Sequence, residues 1–176
     1  TTMLYPMAAF TAAVTVNCGT RVAEATVTDG GTIGGDEYVF EGEVLKNCVV
    51  AGLGRFMVLE NGTAENTTVN CGGILYVSGG GTAWETTVNN GGLVYVESVG
   101  ILSGGTINRG GSVTIKSGGL LSGGTVVVSA GGVISGGTTV DGVEAVYGTA
   151  TLTLVSAGAQ IVSSGGSGTV ETMSGG

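Results

Sequence analysis

Histidine is absent from this 176-residue chain, and proline occurs once. Lysine and arginine together number 5 against 13 acidic residues, which gives a formal net charge of -8. A nucleic-acid groove or an anionic-membrane site needs clustered cations, and this composition does not supply them. We therefore expect no nucleic-acid partner, and we interpret the negative charge as an aid to solubility.

Long apolar runs are also missing. None approaches the roughly 18 residues that a membrane-spanning helix needs, and the longest near the start is interrupted by Pro6. The opening residues, TTMLYPMAAF, lack the basic segment of a signal peptide. We expect no membrane insertion by this segment, and we interpret the chain as a mature segment.

Cysteine is scarce, with Cys18, Cys48 and Cys71 forming an odd set without CxxC spacing. This pattern indicates neither a closed disulfide framework nor a zinc site. We interpret the three cysteines as small buried apolar residues.

Glycine is the abundant residue, at 37 positions. A charged fraction of 10% and a hydrophobic fraction of 42% argue against disorder, and no collagen triplet is present. The glycines therefore punctuate ordered β structure.

A 19-residue repeat organises the centre of the chain. Residues 69–87 read VNCGGILYVSGGGTAWETT, residues 88–106 read VNNGGLVYVESVGILSGGT, and residues 107–125 read INRGGSVTIKSGGLLSGGT. In a solenoid with this period, residue i lies against residue i+19 of the next coil. Four apolar columns then point inward: Phe56, Leu75, Val94, Val113; Val58, Val77, Val96, Ile115; Val50, Val69, Val88, Ile107, Val126; and Ala64, Ala83, Leu102, Leu121.

The spacing of these columns predicts three short strands, and hence three walls and three corners, in each coil. Asn70, Asn89 and Asn108 form a column that predicts an amide ladder. Glu97 and Lys116 lie 19 residues apart and predict an exposed ion pair. Two glycine columns predict positive-φ residues or tight bends at corners: Gly54, Gly73, Gly92, Gly111; and Gly62, Gly81, Gly100, Gly119.

We expect one continuous solenoid in three parts. Residues 1–49 form an N-terminal cap and irregular coils, with residues 3–13 as the cap that covers the open strand edges. Residues 50–140 form the regular coils, and residues 141–176 form irregular C-terminal coils.

The recurring VNxGGxxxVxxGG motif with a following Thr resembles the AIDA-type repeat of autotransporter adhesin passengers of Gram-negative bacteria. This resemblance implies an all-β fold, a right-handed parallel β-helix (β-solenoid) with about 19 residues per coil. It also implies an extracellular or cell-surface location, and adhesion or bacterial self-association. The implied partners are a host-cell glycan or protein, or identical chains on neighbouring cells.

An enzyme is the less favoured alternative, because β-helices that act on polysaccharides need carboxylates clustered on one wall. Glu41 and Glu60 share a column, but Gly79 follows them. The one dense acidic group predicts a solvated loop, with a calcium site as the alternative; it comprises Asp36, Glu37, Glu41 and Glu43. We therefore predict no catalytic residue, cofactor or metal, and a passive stalk for a separate binding head remains an alternative.

Aromatic residues supply the candidate contact sites. Met57, Tyr76 and Tyr95 form an outward stripe, and Trp84 is expected near a corner on the coil of Tyr76. Such a stripe either extends the packing of the sheet or provides a contact surface for a glycan or protein.

Overall fold

The chain is a parallel β-solenoid of about seven turns, built from strands without helices in the part that is described. The structure is a computed structural model that describes residues 32–136, 138–140, 143–156 and 159–174. The solenoid with about 19 residues per coil, predicted above, is confirmed. The expected cap at residues 3–13 and Cys18 lie outside the described residues.

Three parallel walls run along the solenoid, and we name them A, B and C. Wall A contains β2 (Asp36–Val39), β5 (Arg55–Val58), β8 (Ile74–Val77), β10 (Leu93–Val96), β12 (Ser112–Ile115) and β15 (Val133–Ser135). Wall B contains β3 (Val44–Lys46), β6 (Thr63–Glu65), the first halves of β9 (Thr82–Val88) and β11 (Ile101–Ile107), β13 (Leu120–Ser122) and β16 (Thr138–Val140).

Wall C contains β1 (Thr32–Ile33), β4 (Val49–Val50), β7 (Thr68–Val69), the second halves of β9 and β11, β14 (Thr125–Val128), β17 (Val143–Val146) and β19 (Ala159–Val162). The two longest strands, β18 (Thr149–Ser156) and β20 (Ser167–Ser174), continue walls A and B.

The core is a stack of apolar side chains in register from coil to coil. Phe56 pairs with Leu75, Leu75 with Val94, and Val94 with Val113, all fully buried or nearly so. Burying each such side chain stabilises the fold by about 1.5–3 kcal/mol. The column from Val58 to Ile115 and the column from Ala64 to Leu121 are also buried, as predicted.

The 19-residue register begins before the repeated sequence motif. Asp36 pairs with Arg55, and Val39 with Val58, at the same spacing as the later coils. Residues 36–50 therefore form a coil in frame with their successors. The division into a cap, regular coils and irregular coils stays a prediction.

One predicted column is wrong at its end. Ile107 pairs with Val128, 21 residues later, whereas Val126 pairs with Gly105. Leu102 still pairs with Leu121 at a spacing of 19, so two extra residues enter the next corner. Gly123 and Gly124 lie in that corner with φ of 69° and 61°.

The corners contain glycine for two different reasons. At the corner from wall A to wall B, the amide of Gly81 donates to the carbonyl of Ser78 over 2.9 Å, closing the expected tight bend. A Cβ on Gly81 would lie 2.6 Å from the carbonyl oxygen of Val58 on the coil beneath. The positive φ, 90°, belongs instead to Gly80. The predicted glycine columns thus provide close approach between coils, and the left-handed residues occupy the preceding position.

The cysteines do not share one environment. Cys48 is buried in the core as expected, but Cys71 is exposed at the corner between walls C and A, so its interpretation as a buried residue is wrong. Both thiols are free. Among the described residues, no helix has the length and apolarity needed to cross a membrane.

Candidate contact surface

The outer face of wall A carries the aromatic stripe. Because side chains alternate across a strand, the buried Phe56 and Val58 place Met57 on the outside. Met57 pairs with Tyr76, and Tyr76 with Tyr95, so the structure brings these three candidate residues together in one column. Their role in partner contact stays a prediction.

The two tyrosine rings of this stripe stack on each other. The ring centroids of Tyr76 and Tyr95 lie 5.3 Å apart, with an angle of 20° between the ring planes. Both side chains are half-buried, since each covers part of its neighbour and of the sheet. The stripe therefore offers a rigid apolar surface whose conformational entropy is already reduced.

The stripe lies in a shallow groove with a volume of about 400 Å³. Apolar side chains form its floor, and two charged side chains of opposite sign, Arg55 and Glu97, line it with Asp36. The complete lining comprises Asp36, Tyr38, Arg55, Met57, Leu59, Tyr76, Ser78 and Glu97.

Sequence reasoning missed one aromatic member of this surface. Tyr38 pairs with Met57 and extends the stripe by one coil, and its ring stacks on that of Phe40 with centroids 6.1 Å apart. Tyr38 precedes Met57 by 19 residues, so the repeat spacing itself contained the signal. The flanking sequence lacks the VNxGG motif that marks the later coils.

Trp84 lies on a different wall. It belongs to the wall B half of β9, where it pairs with Glu65 of the preceding coil and Ser103 of the following coil. Its side chain is 51% exposed. The structure therefore separates Trp84 from the tyrosine stripe, and a contact role for Trp84 needs a second surface.

An ion pair closes one end of the wall A face. The Nζ atom of Lys116 lies 2.7 Å from Oε1 of Glu97, which confirms the predicted pair. The hydrogen bond to the Glu97 carboxylate raises the pKa of Lys116 above 10.5. Lys116 therefore carries its positive charge throughout the neutral pH range.

The acidic group near the start of the described chain is divided by the fold. Asp36 points to the outer face of β2, whereas Glu37 occupies the inward register position of Phe56. The Glu43 carboxylate accepts a hydrogen bond from the amide of Phe40 over 2.9 Å. Within the described ranges, no three His, Cys, Asp or Glu side chains converge as a metal site.

Comparison with known proteins supplies a family for part of the chain. Residues 33–92 match the family described as AIDA, adhesin of bacterial autotransporter system, probable stalk. Among curated proteins, none matches the chain at a significant level. A crystal structure of a TibC-catalysed, hyper-glycosylated TibA fragment is 22% identical, with 84% of each chain covered and a TM-score of 0.45. Residues 33–92 thus carry the repeat of the AIDA adhesin family of bacterial autotransporters.

Proposed function

We propose that this chain is a non-catalytic scaffold, displayed on the surface of a Gram-negative bacterium, that makes adhesive contacts through the outer face of wall A. The partner is a host-cell glycan or protein, or an identical chain on a neighbouring cell. The stacked Tyr76 and Tyr95 rings at the centre of an open groove are the observation that carries this proposal. Sugar rings and protein side chains both pack on exposed aromatic faces.

The spacing of the groove carboxylates favours a scaffold over an enzyme that cleaves polysaccharides. Asp36 and Glu97 are the two carboxylates that line the groove, and three coil steps separate them. At about 4.8 Å per step, the backbones are about 14 Å apart, which exceeds the about 9.5 Å limit for paired glycosidase carboxylates.

A passive stalk is the second candidate function, because the matching family is itself described as a probable stalk. In that case a separate binding head makes the contacts, and the wall A groove only covers the core. The two functions differ in one observable: only the adhesive scaffold depends on the identity of the outward side chains of wall A.

Cells that display the chain test this difference. Tyr76→Ser combined with Tyr95→Ser is expected to reduce binding to host cells or glycans, or aggregation of the displaying cells, by about tenfold or more, since buried aromatic contacts dominate interfaces. Tyr147→Ser is the matched control, because Tyr147 is an exposed tyrosine outside the groove. Trp84→Ser tests the second surface on wall B in the same assay.

Binding that survives the double substitution contradicts the adhesive role of wall A. Absence of binding by every variant, including the parent chain, favours the passive stalk. Circular dichroism of each variant verifies that the β structure is retained, so that a loss of binding is not a loss of folding.

A further inference from the structure

The charged residues of the wall A face are arranged with opposite signs about Tyr76. Arg55 lies one coil before Tyr76 and one outward position earlier along the strand, in register with Ile74. Glu97 lies one coil after Tyr76 and one outward position later, because its amide donates to the carbonyl of Val77 in the parallel register. Equal and opposite displacements from Tyr76 thus lead to opposite charges.

The next pair of charges follows the same rule at a greater distance. Asp36 lies two coils before Tyr76, in the strand position of Arg55. Lys116 lies two coils after Tyr76, in the strand position of Glu97, with its amide bonded to the carbonyl of Val96. Each acid therefore has a base at the inverted position across the tyrosine.

Such an arrangement is self-complementary. A two-fold axis that lies in the plane of wall A, passes through Tyr76 and runs across the Arg55 to Glu97 line places each end of the face opposite the other end of a second copy. Arg55 of one copy then meets Glu97 of the second, and Asp36 meets Lys116, with every contact made twice. The apolar side chains of the stripe meet between these contacts.

Two of the four charges have no ion pair within the described chain. Asp36 and Arg55 are neighbours in register, yet neither forms a salt bridge there. Both line the groove beside Met57 and are exposed. Their charges are therefore available to a partner surface that presents the opposite signs in the same arrangement.

The geometry points to a second copy of this chain as the occupant of the wall A groove, docked face to face about Tyr76. This inference rests on the proposed adhesive function and names its partner. The area from Asp36 to Lys116 spans about 19 Å by 13 Å, at about 4.8 Å per coil and 3.3 Å per residue. That is well below the about 800 Å² per partner of a stable complex, so a single contact is weak and acts through many copies on facing surfaces.

Two charge reversals and their mixture test the pairing. Beads densely coated with the purified chain are expected to aggregate, whereas Arg55→Glu beads or Glu97→Arg beads alone aggregate at least about tenfold more slowly, because like charges then meet twice in each contact. A mixture of Arg55→Glu beads with Glu97→Arg beads restores aggregation, since the new carboxylate meets the new guanidinium while the native pair persists at the other end. A misfolded variant cannot produce this recovery.

Ionic strength supplies a second readout. Aggregation of the parent beads is expected to weaken several-fold between 0.05 and 0.5 M NaCl, since the Debye length falls from about 14 Å to about 4 Å. Failure of the mixture to aggregate, while the parent beads do, overturns the two-fold pairing. So does parent aggregation that is insensitive to Arg55→Glu.

The outcomes separate the two proposals. If Tyr76→Ser with Tyr95→Ser abolishes host-cell or glycan binding and the parent beads do not aggregate, wall A is adhesive but its occupant is not a second copy. If the tyrosine substitutions change neither binding nor aggregation, the adhesive function itself is wrong.

Discussion

The side-chain amide of Asn108 donates a hydrogen bond to Oδ1 of Asn89 over 2.7 Å, across adjacent coils. Asn89 in turn donates to Oδ1 of Asn70 over 2.8 Å. Ser129 continues the column, with its hydroxyl donating to Asn108 over 3.4 Å. The predicted amide ladder therefore exists, and it links four successive turns at the corner between walls C and A.

Removal of the central ladder residue is expected to destabilise the chain. Asn89→Ala deletes two half-buried hydrogen bonds, each worth about 0.5–1.5 kcal/mol, so we expect a loss of about 1–3 kcal/mol in the free energy of unfolding. Urea denaturation followed by circular dichroism measures it. Asn90→Ala, at the exposed neighbouring position, is the matched control with an expected change below about 0.5 kcal/mol. Equal effects of the two substitutions would falsify an energetic role for the ladder.

The adjacent glycines of one corner are expected to respond differently to substitution. Gly81→Ala brings a Cβ within 2.6 Å of the Val58 carbonyl oxygen, which the backbone of the neighbouring coil cannot relieve, so we expect a loss of more than about 2 kcal/mol. Gly80→Asn meets no atom within 4 Å and keeps a residue type that tolerates φ of 90°, so the cost is expected below about 1 kcal/mol. Thermal denaturation of the two variants compares them directly. A larger cost at Gly80 would show that backbone conformation, not coil contact, selects glycine here.

Two buried hydroxyls offer a stabilising change. Oγ1 of Thr67 and Oγ1 of Thr86 are buried without a hydrogen-bond partner. Because an unsatisfied buried hydroxyl costs about 1–3 kcal/mol, Thr86→Val, which conserves the shape, is expected to raise the free energy of unfolding by about 1 kcal/mol or more. Thr87→Val at the next, outward position is the control, with little expected change. A lower denaturation midpoint for Thr86→Val contradicts the prediction.

The interior of the solenoid was predictable because its side chains repeat in type as well as in spacing. Leu75, Val94 and Val113 are all aliphatic at one register position, and a parallel stack of walls is the arrangement that buries them together. Glu97 and Lys116 were predictable as a pair for the same reason, since their separation is one coil.

The register error at Val126 has a physical cause. Ser122 to Thr125 repeat Ser103 to Thr106 at a spacing of 19, and three consecutive valines follow, so the sequence allows either Val126 or Val128 beneath Ile107. The next corner decides between them: Gly131 has φ of 78°, matching 77° at Gly110, and Ser129 bonds Asn108. Both of these matches require a spacing of 21.

The groove was only partly predictable. Met57, Tyr76 and Tyr95 followed from the repeat, but the contributions of Asp36 and Arg55 depend on a coil whose corners lack the repeated motif. The inverted arrangement of charges about Tyr76 requires the register of five coils at once, which becomes visible with the fold.

Val99 is the corner residue whose conformation contradicts its type. It has φ of 64°, in the left-handed region that a β-branched side chain disfavours, and it is 60% exposed. The equivalent corner positions on neighbouring coils hold Asn61, with φ of 54°, and Gly80 and Gly118, all left-handed. Since the left-handed conformation costs about 1–2 kcal/mol for an ordinary residue and less for asparagine, Val99→Asn is expected to raise the free energy of unfolding by about 1 kcal/mol.

Urea denaturation of Val99→Asn measures this gain, and Val99→Ala separates its two sources. Alanine removes the exposed apolar side chain but keeps most of the left-handed penalty, so it is expected to stabilise the chain less than asparagine does. Equal midpoints for the two variants would assign the gain to the lost β-branch and not to the backbone. Unchanged or lower midpoints for Val99→Asn would mean that contacts of the valine compensate its strain, in which case this exposed corner is held in place by packing that the asparagine cannot reproduce.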